Sequence, residues 1–471
     1  MSLLIVIPFF SILAFNMPFL KPLRKSIFVW SIFLFLCQIA ISCACVSPVF
    51  LDTFSRPLHV FNFNLGLDGL SIIMLFLSAL ILLLTLIVSN SFIREEKRRF
   101  NFINLLLFTL SALNGLVMVR DIFSLYIFVE ITAITSYVLI AFEKDMKALS
   151  AVFKYVVLST IASILMVSSI AIVLLFVGNT NFMIIYDALH ASSPNPLIML
   201  AVSLFICGLF IKAGLVPFHG WVPEVYSYSG ASVSMLLAGI ISKALGVYTL
   251  IRILKDVFGL NDQIGTILLV VGTASILLGA FGALSQKNFK KMLAYSSISQ
   301  VGYIIVGLAT LNPLGFIGAV FHFFNHSIFK TLLFVNSAAV EKQTGTTDMA
   351  HLGGLSKKMP ITAITSILGM LSAAGIPPLA GFWSKLLIII ALFISGHFVY
   401  GAIAVFASVL TLAYLLSMQR MVFFGKLNER LVSIKEAGFG IVFPAIMLGA
   451  IIVVVGLLYP LVFRTLILLL V

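Results

Sequence analysis

The sequence predicts an all-α polytopic membrane protein of about fourteen transmembrane helices, and three observations predict it. Of 471 residues, 61% are hydrophobic and 10% charged, with a mean hydropathy of +1.19. Apolar runs of eighteen or more residues, long enough to cross a bilayer as helix, recur from end to end. The net charge of +13 sits mainly in short intervals between those runs. In a soluble chain that charge would point to nucleic acid; between apolar spans it sets orientation, and no nucleic-acid partner is expected.

The spans read in order as Leu3–Asn16, Ile27–Val46, Leu67–Val88, Ile103–Val119, Ile122–Phe142 and Leu149–Val177. Leu197–Val216 continues to Tyr226, and Ala231–Leu254, Ile264–Leu284, Leu293–Leu311 and Gly315–Val340 follow. Ile361–Phe393 (interrupted), Phe398–Phe424 and Ile441–Phe463 complete the set. The opening MSLLIVIPFF has no basic segment and no small-residue cleavage site, so it reads as the first span. Six alternate loops carry most of the basic residues: Lys21, Arg24 and Lys25; Arg94 to Arg99; Lys144 and Lys147; Lys287, Lys290 and Lys291; Lys342, Lys357 and Lys358; Lys426, Arg430 and Lys435. The other loops hold little beyond Arg56, Arg120, Arg252 and Lys255. The positive-inside rule places the first set in the cytoplasm and both termini outside, in the cell membrane. The loop near Glu224 is then inside without basic residues.

The chain is organised around Leu204–Leu254, where each of two apolar segments holds a lysine. The first carries Lys212 and is interrupted by Pro217 and Gly220; the second carries Lys243 midway along an apolar helix. A charge at mid-bilayer costs about 2.5–3.5 kcal/mol even on lenient scales, so a lysine there is a functional candidate. Proline and glycine inside a span free backbone groups that protein or water must satisfy. The run from Ala213 to Trp221 has a counterpart from Ala374 to Phe382, with Pro377 and Pro378 at the second interruption. Both read A-G-aliphatic-x-Pro-x-x-Gly-aromatic, and by the loop count the two spans run in opposite directions. Interrupted spans of opposite sense are the mark of an inverted repeat. The whole chain, 1–471, therefore reads as one integral membrane domain. It comprises three N-terminal helices (3–88), a first repeat (103–254), a second repeat (264–424) and a C-terminal helix (441–463).

Of sixteen acidic residues, Glu130 alone lies deep in a span; opposite to it in charge are Lys212, Lys243, Lys330 and Lys385, the lysines within spans. His322, His326 and Lys330, at i, i+4 and i+8, share one helix face over roughly 12 Å of axis. Asn325 and Ser327 are placed to hold water beside them. Burial favours a neutral lysine, a nearby carboxylate restores its charge, and histidine titrates near neutrality. Moving one charge against the membrane potential is worth about 2.3 kcal/mol per 100 mV, a size such shifts can match. The bland alternatives are a static Glu130–Lys212 pair that fixes packing, a His219 that only satisfies the broken backbone, and a Lys330 that snorkels to the surface. Two histidines without a third ligand predict no metal site.

Cys37, Cys43, Cys45 and Cys207 lie in apolar stretches and read as packing residues. The sequence contains no dinucleotide fingerprint, phosphate-binding loop, paired CxxC or haem motif, so no cofactor is expected in this chain. Any redox chemistry it serves would belong to other subunits, and the chain is not expected to be an enzyme by itself.

The stretches KAGLVPFHGWVPEVY, SKALGVYTLIRI, KNFKKMLAYSSISQVGYIIVGLA, FHFFNHSIFKTLLF and AAGIPPLAGFWSKLL resemble the antiporter-like proton-translocating subunits. That family is shared by respiratory complex I, Mrp-type cation/proton antiporters and membrane-bound hydrogenases. The resemblance runs from about Gly66 to Phe424 and implies fourteen helices with two inverted five-helix repeats, broken at spans seven and twelve. It implies that Glu130 pairs with Lys212, that Lys243 is the central lysine, that His322 and His326 link, and that Lys385 leads to the exit side. The segment Ser229 to Ser234 lacks the prolines usual there, and the chain ends without the long lateral helix of the largest members; it looks more like the MrpD type or the shorter complex I subunits. Implied partners are other antiporter-like and small membrane subunits, peripheral redox subunits, lipid, and protons with sodium as a second ion. The expected function is proton translocation through Glu130, Lys212, Lys243, His322, His326, Lys330 and Lys385. A structural spacer and a free-standing solute transporter are the alternatives.

Overall fold

The computed structural model describes residues 2–18, 24–46, 58–60, 63–191 and 195–470; Lys21 and Arg56, used above for orientation, lie outside them. The chain is nearly all helical. In order the helices are α1 (Ser2–Asn16), α2 (Ile27–Ala44), α3 (Gly69–Ser89), α4 (Glu96–Met118), α5 (Ile122–Ile140), α6 (Met146–Val177), α7 (Phe182–Ala191), α8 (Pro196–Ala213) and α9 (Trp221–Tyr228). Then come α10 (Ala231–Asp256), α11 (Asp262–Leu284), α12 (Phe289–Leu308), α13 (Pro313–Thr344), α14 (Pro360–Ala374), α15 (Ala380–Ile394), α16 (Phe398–Val422), α17 (Phe439–Leu457) and α18 (Tyr459–Leu470). A two-stranded antiparallel hairpin, Leu58–Val60 with Phe63–Leu65, precedes α3. Among the described residues ten helices are long and apolar enough to cross a bilayer, which makes this a multi-pass membrane protein.

Helix ends follow local chemistry. Asp68, Asp121, Asp145, Asn195, Asn261, Asn288 and Asn312 each cap a helix N-terminus by accepting a backbone N–H. Two segments reuse one device. The 32-residue helices α6 and α13 each end at a left-handed glycine, Gly178 and Gly345. Each is followed by a threonine and an Asn or Asp that bridges back to the cap before the preceding helix, Asn181 to Asp121 and Asp348 to Asn288. The interruptions match as well: α8 stops at Gly214 and α14 at Gly375, both left-handed, and α9 and α15 resume after Pro217 and Pro378.

The core is formed by α3, α10, α12 and α13, almost wholly buried, whereas α2, α5, α6, α16 and α17 turn apolar side chains outward. In lipid, helices gain from close contact more than from leaving water, so small residues set the approach. A Cβ at Gly246 would lie 2.3 Å from the Ala213 Cα, and one at Gly239 would lie 2.4 Å from Thr331 Oγ1. These two glycines seat α10 between α8 and α13, with Lys243 between them.

Two readings, the single last span and Arg252 as a loop charge, need correction, and two further features lie outside the sequence reading. The last span divides: α17 ends at Leu457 and α18 begins at Tyr459, because Pro460 cannot donate the N–H that a continuous helix needs. Gly456 marks the same place, where an added Cβ would sit 2.4 Å from Pro378 O. Helix α7 was not anticipated, being ten residues long. The middle of α10 is not ordinary α-helix but two π-helical stretches, Leu237–Ile241 and Lys243–Tyr248. Arg252 is no loop residue; it lies inside α10 with 1% exposure.

Arg252 is tolerated there because carboxylates surround it. Its guanidinium donates to Asp68 at 2.5 and 2.9 Å, to Asp256 at 2.7 Å and to Tyr248 Oη at 2.9 Å; Arg120 stands 3.6 Å from Asp68. Burial pushes the Asp68 carboxyl up, but the charge and hydrogen bond of Arg252, and then Arg120, outweigh it and hold the group well below the usual carboxylate range. The clasp ties α3, α10 and the α4–α5 turn together at one end. The opposite end gathers the basic loops, with Arg98 on Glu143 at 3.1 Å, Lys147 over Tyr228 and Lys154 on Glu224 at 2.8 Å. The loop near Glu224 therefore has basic neighbours that its own sequence lacks.

Two outcomes follow. Gly246→Val should cost about 2–3 kcal/mol by overpacking against Ala213, read as a lower melting temperature in detergent and less folded protein. Because the folded Asp68 value is depressed, the clasp contributes fully above the ordinary aspartate range near pH 4 and is lost as pH falls through the folded value. Asp68→Asn should lower stability at pH 7 by about 2 kcal/mol, less than a fully broken buried pair since Asp256 remains, and should flatten the acid limb of a melting-temperature profile.

Candidate functional site

The first group of buried charges forms where α8 stops. Lys212 occupies its last turn, and the left-handed Gly214 ends the helix directly after it. Its side chain is 0% exposed, with Nζ 2.9 Å from Glu130 Oε1 on α5, 2.7 Å from Ser159 Oγ and 3.4 Å from Ser163 Oγ on α6. Ser163 also donates to Glu130 Oε1 at 2.7 Å. One carboxylate and two hydroxyls thus satisfy the ammonium, the condition for holding such a charge in an apolar interior. Glu130 keeps 24% of its side chain exposed, so the pair reaches the lateral surface of the bundle.

Lys243 lies at the junction of the two π stretches, 1% exposed, and its Nζ donates to the Ala238 carbonyl five residues back. Ser242 reaches Leu237 O and Thr249 reaches Ala244 O by the same five-residue step, at 3.1 and 2.9 Å. Wider π turns offset carbonyls that side chains of the same helix can then use. Tyr226 Oη meets Ser242 Oγ at 2.5 Å, linking α9 to the residue beside Lys243.

The second group sits on α13, α12 and α15. His322, His326 and Lys330 are all 0% exposed, and the two imidazole rings lie 6.2 Å apart and nearly parallel. His322 Nδ1 is 2.9 Å from Ser384 Oγ, one residue before Lys385. Lys385 is 2% exposed, its Nζ 4.4 Å over the Tyr303 ring and its stem against Gly375 at the second interruption. Lys330 does not snorkel: its Nζ donates to Leu293 O at 3.1 Å and Ser296 Oγ at 2.5 Å, partners deep in α12. His326 is within electrostatic reach of Lys243, Lys330, His322 and Lys385. Among the described residues His322 Nε2, both nitrogens of His326 and Lys385 Nζ have no hydrogen-bond partner.

The structure thus gathers Glu130 with Lys212, and Lys243 with His326, His322, Lys330 and Lys385. The contact of Gly246 with Ala213 joins the two groups, but among the described residues no hydrogen bond links Lys212 to Lys243. Pro217, Gly220, Pro377 and Pro378 are exposed at the interruptions. The first is supported from α11, whose Ser275 Oγ accepts the Val216 N–H at 3.0 Å. His219 is half-buried with its Nδ1 unpartnered. Asn325 and Ser327 bond the carbonyls of Ala380 and Phe323, so neither is given over to water alone. Sequence reasoning passed over Ser159, Ser163, Ser296 and Ser384, since hydroxyls in apolar helices usually bond their own backbone. It also read Lys290 as a loop residue; Lys290 is 2% exposed on α12, with Nζ 2.6 Å from Glu341.

Comparison with known proteins gives the context for this arrangement. The family described as NADH:quinone oxidoreductase/Mrp antiporter, TM, matches residues 119–411. The chain belongs to that family. A Na(+)/H(+) antiporter subunit from Alkalihalophilus pseudofirmus is 30% identical over 84% of this chain and 80% of its own length. An NADH-quinone oxidoreductase subunit from Desulforudis audaxviator is 34% identical over 68% of this chain and 64% of its own. A protein in the structure of the Mrp complex from Dietzia sp. superposes with a TM-score of 0.90 at 24% identity, over 99% of this chain and 95% of that one; at that identity the likeness concerns the fold. The matched family region contains Glu130, Lys212, Lys243, His322, His326, Lys330 and Lys385.

Ser296→Ala should leave Lys330 Nζ with one partner fewer in a fully buried site. The expected cost is about 1–3 kcal/mol, read as a lower melting temperature with the helical content unchanged.

Proposed function

We propose that this chain is a proton-translocating subunit of a larger energy-converting membrane assembly, with sodium as a second transported ion. The single observation that carries the reading is the unpartnered set of buried titratable atoms: His322 Nε2, both nitrogens of His326 and Lys385 Nζ. Buried polar atoms of that kind are at home beside water, and titratable side chains joined by water form a path for protons. Glu130 sets how readily Lys212 holds its proton. Lys243, His326, Lys330 and His322 relay, and Lys385 delivers. Among the described residues Lys212 has a counter-charge and Lys243 and Lys385 have none, a difference that gives neighbouring lysines the unequal proton affinity a relay needs.

The same reading gives the fold fourteen crossings. Joining α8 to α9 and α14 to α15 across their breaks, and adding α1, α12 and α13 to the remaining long helices, makes that number. The shared glycine, threonine and Asn/Asp device supports two repeats, which run in opposite senses if the basic end faces the cytoplasm. Partners are then other membrane subunits, as the relatives, themselves subunits of multi-subunit complexes, suggest, with any redox chemistry outside this chain. A roomy solute site is less favoured: four cavities among the described residues, of about 240 to 640 Å3, are lined by residues other than these lysines and histidines.

Lys212→Ala, in the assembled complex reconstituted in vesicles, should abolish cation-coupled proton movement at normal protein level; undiminished movement would refute the assignment. Neutral substitutions at Lys243 and Lys385 separate a pump from a spacer. A pump keeps its assembly and loses transport, while a spacer loses assembly.

A further inference from the structure

At the basic end of the bundle, away from the buried lysines, a cleft of about 640 Å3 opens between the first turns of α2 and α4. Arg24, Lys25, Lys97 and Arg99 line it against one carboxylate, Glu96, over a floor that includes Ile27 and Ile103. Among the described residues none of these four cations makes an ion pair, whereas the neighbouring Arg98 is engaged by Glu143. Arg24 is held in place: its guanidinium lies 5.0 Å over the Phe100 ring and its Nε donates to Phe15 O at 3.4 Å. Arg99 is likewise steadied by Asn90 Oδ1 at 3.0 Å. Both helices begin here, so their free N–H groups add positive potential to that of the side chains.

The apolar floor decides the class of occupant. Ile27 and Ile103 are buried below the rim, and α2 continues from the cleft with Val29, Trp30, Phe33 and Leu36 turned outward. A rim of uncompensated cations above a floor continuous with a lipid-exposed helix fits an amphiphile with an anionic head. A free phosphate would engage the rim and leave the floor unused. We propose that this cleft binds an anionic phospholipid, its phosphate among Arg24, Lys25, Lys97 and Arg99 and its acyl chains along α2. The site is independent of the proton path.

The test uses the full chain with whatever subunits accompany it from the membrane. The protein is delipidated in mild detergent and then titrated with phosphatidylglycerol, phosphatidylethanolamine or inorganic phosphate, and bound lipid is counted by native mass spectrometry. Each cation near an anionic lipid surface is worth roughly fivefold in affinity, so Arg24→Gln with Arg99→Gln should weaken phosphatidylglycerol binding about 25-fold. Lys357→Gln with Lys358→Gln, on the same end but outside the cleft, should leave it unchanged, and Arg24→Lys should keep most of it. Phosphatidylglycerol should shield Lys25 and Lys97 of the unmodified chain from acetylation, a readout that needs no variant to fold. Equal binding of phosphatidylethanolamine, equal loss in the Lys357 and Lys358 variant, or displacement by inorganic phosphate would overturn the proposal. So would shielding of Lys25 and Lys97 that survives complete delipidation, since an acidic protein segment would then fill the cleft.

Discussion

Positive charge buried without a matching number of counter-charges is the constraint to which this structure answers. Lys212, Lys243, Lys330 and Lys385 lie within the helices almost wholly excluded from solvent, and among the described residues Glu130 is the one carboxylate that pairs with any of them. Each ammonium is accommodated differently. Lys212 has an anion and hydroxyls, Lys243 a carbonyl of its own helix, Lys330 a carbonyl and a serine, and Lys385 an aromatic face. An array of identical salt bridges would be static. Four unlike environments hold these lysines, and the helix breaks, the π turns and the glycine contacts shape those environments.

Arg252 shows the opposite solution. It too is buried, yet two carboxylates and a phenol surround it and Arg120 stands on the far side of Asp68. That group is closed, with its charges matched, and it joins α3 to α10 at the end opposite the basic loops. The two differ in their counter-charges: each carboxylate of the clasp meets a guanidinium, whereas among the described residues His322 Nε2, both nitrogens of His326 and Lys385 Nζ have no hydrogen-bond partner.

Much of this was visible in the chain before any coordinates. Apolar runs locate helices because a bilayer demands some twenty residues per crossing, and the interruptions at Pro217 and Pro378 stand out for want of an N–H. The spacing of His322, His326 and Lys330 places them on one face by geometry alone. What stayed hidden depends on tertiary contact. Ser159 and Ser296 look like any hydroxyl in an apolar helix until a lysine from another helix reaches them. Arg252 and Lys290 read as loop charges because their partners, Asp68 and Glu341, are far away in sequence. The second repeat signal, Gly178-Asn-Thr-Asn against Gly345-Thr-Thr-Asp, was present in the letters but lies in turns, where such short matches carry little weight alone.

The π turns of α10 have a geometric corollary. A π turn accommodates one residue more than the α-helix around it, and an α-helix advances about 100° per residue. Ser242, between the two stretches, is therefore a phase setting: its removal would tighten the coil and swing everything beyond it around the axis. Lys243 would then stand four residues beyond Ala238 instead of five, out of step with the carbonyl its Nζ now reaches. Its aim is thus set by the length of the segment as much as by composition.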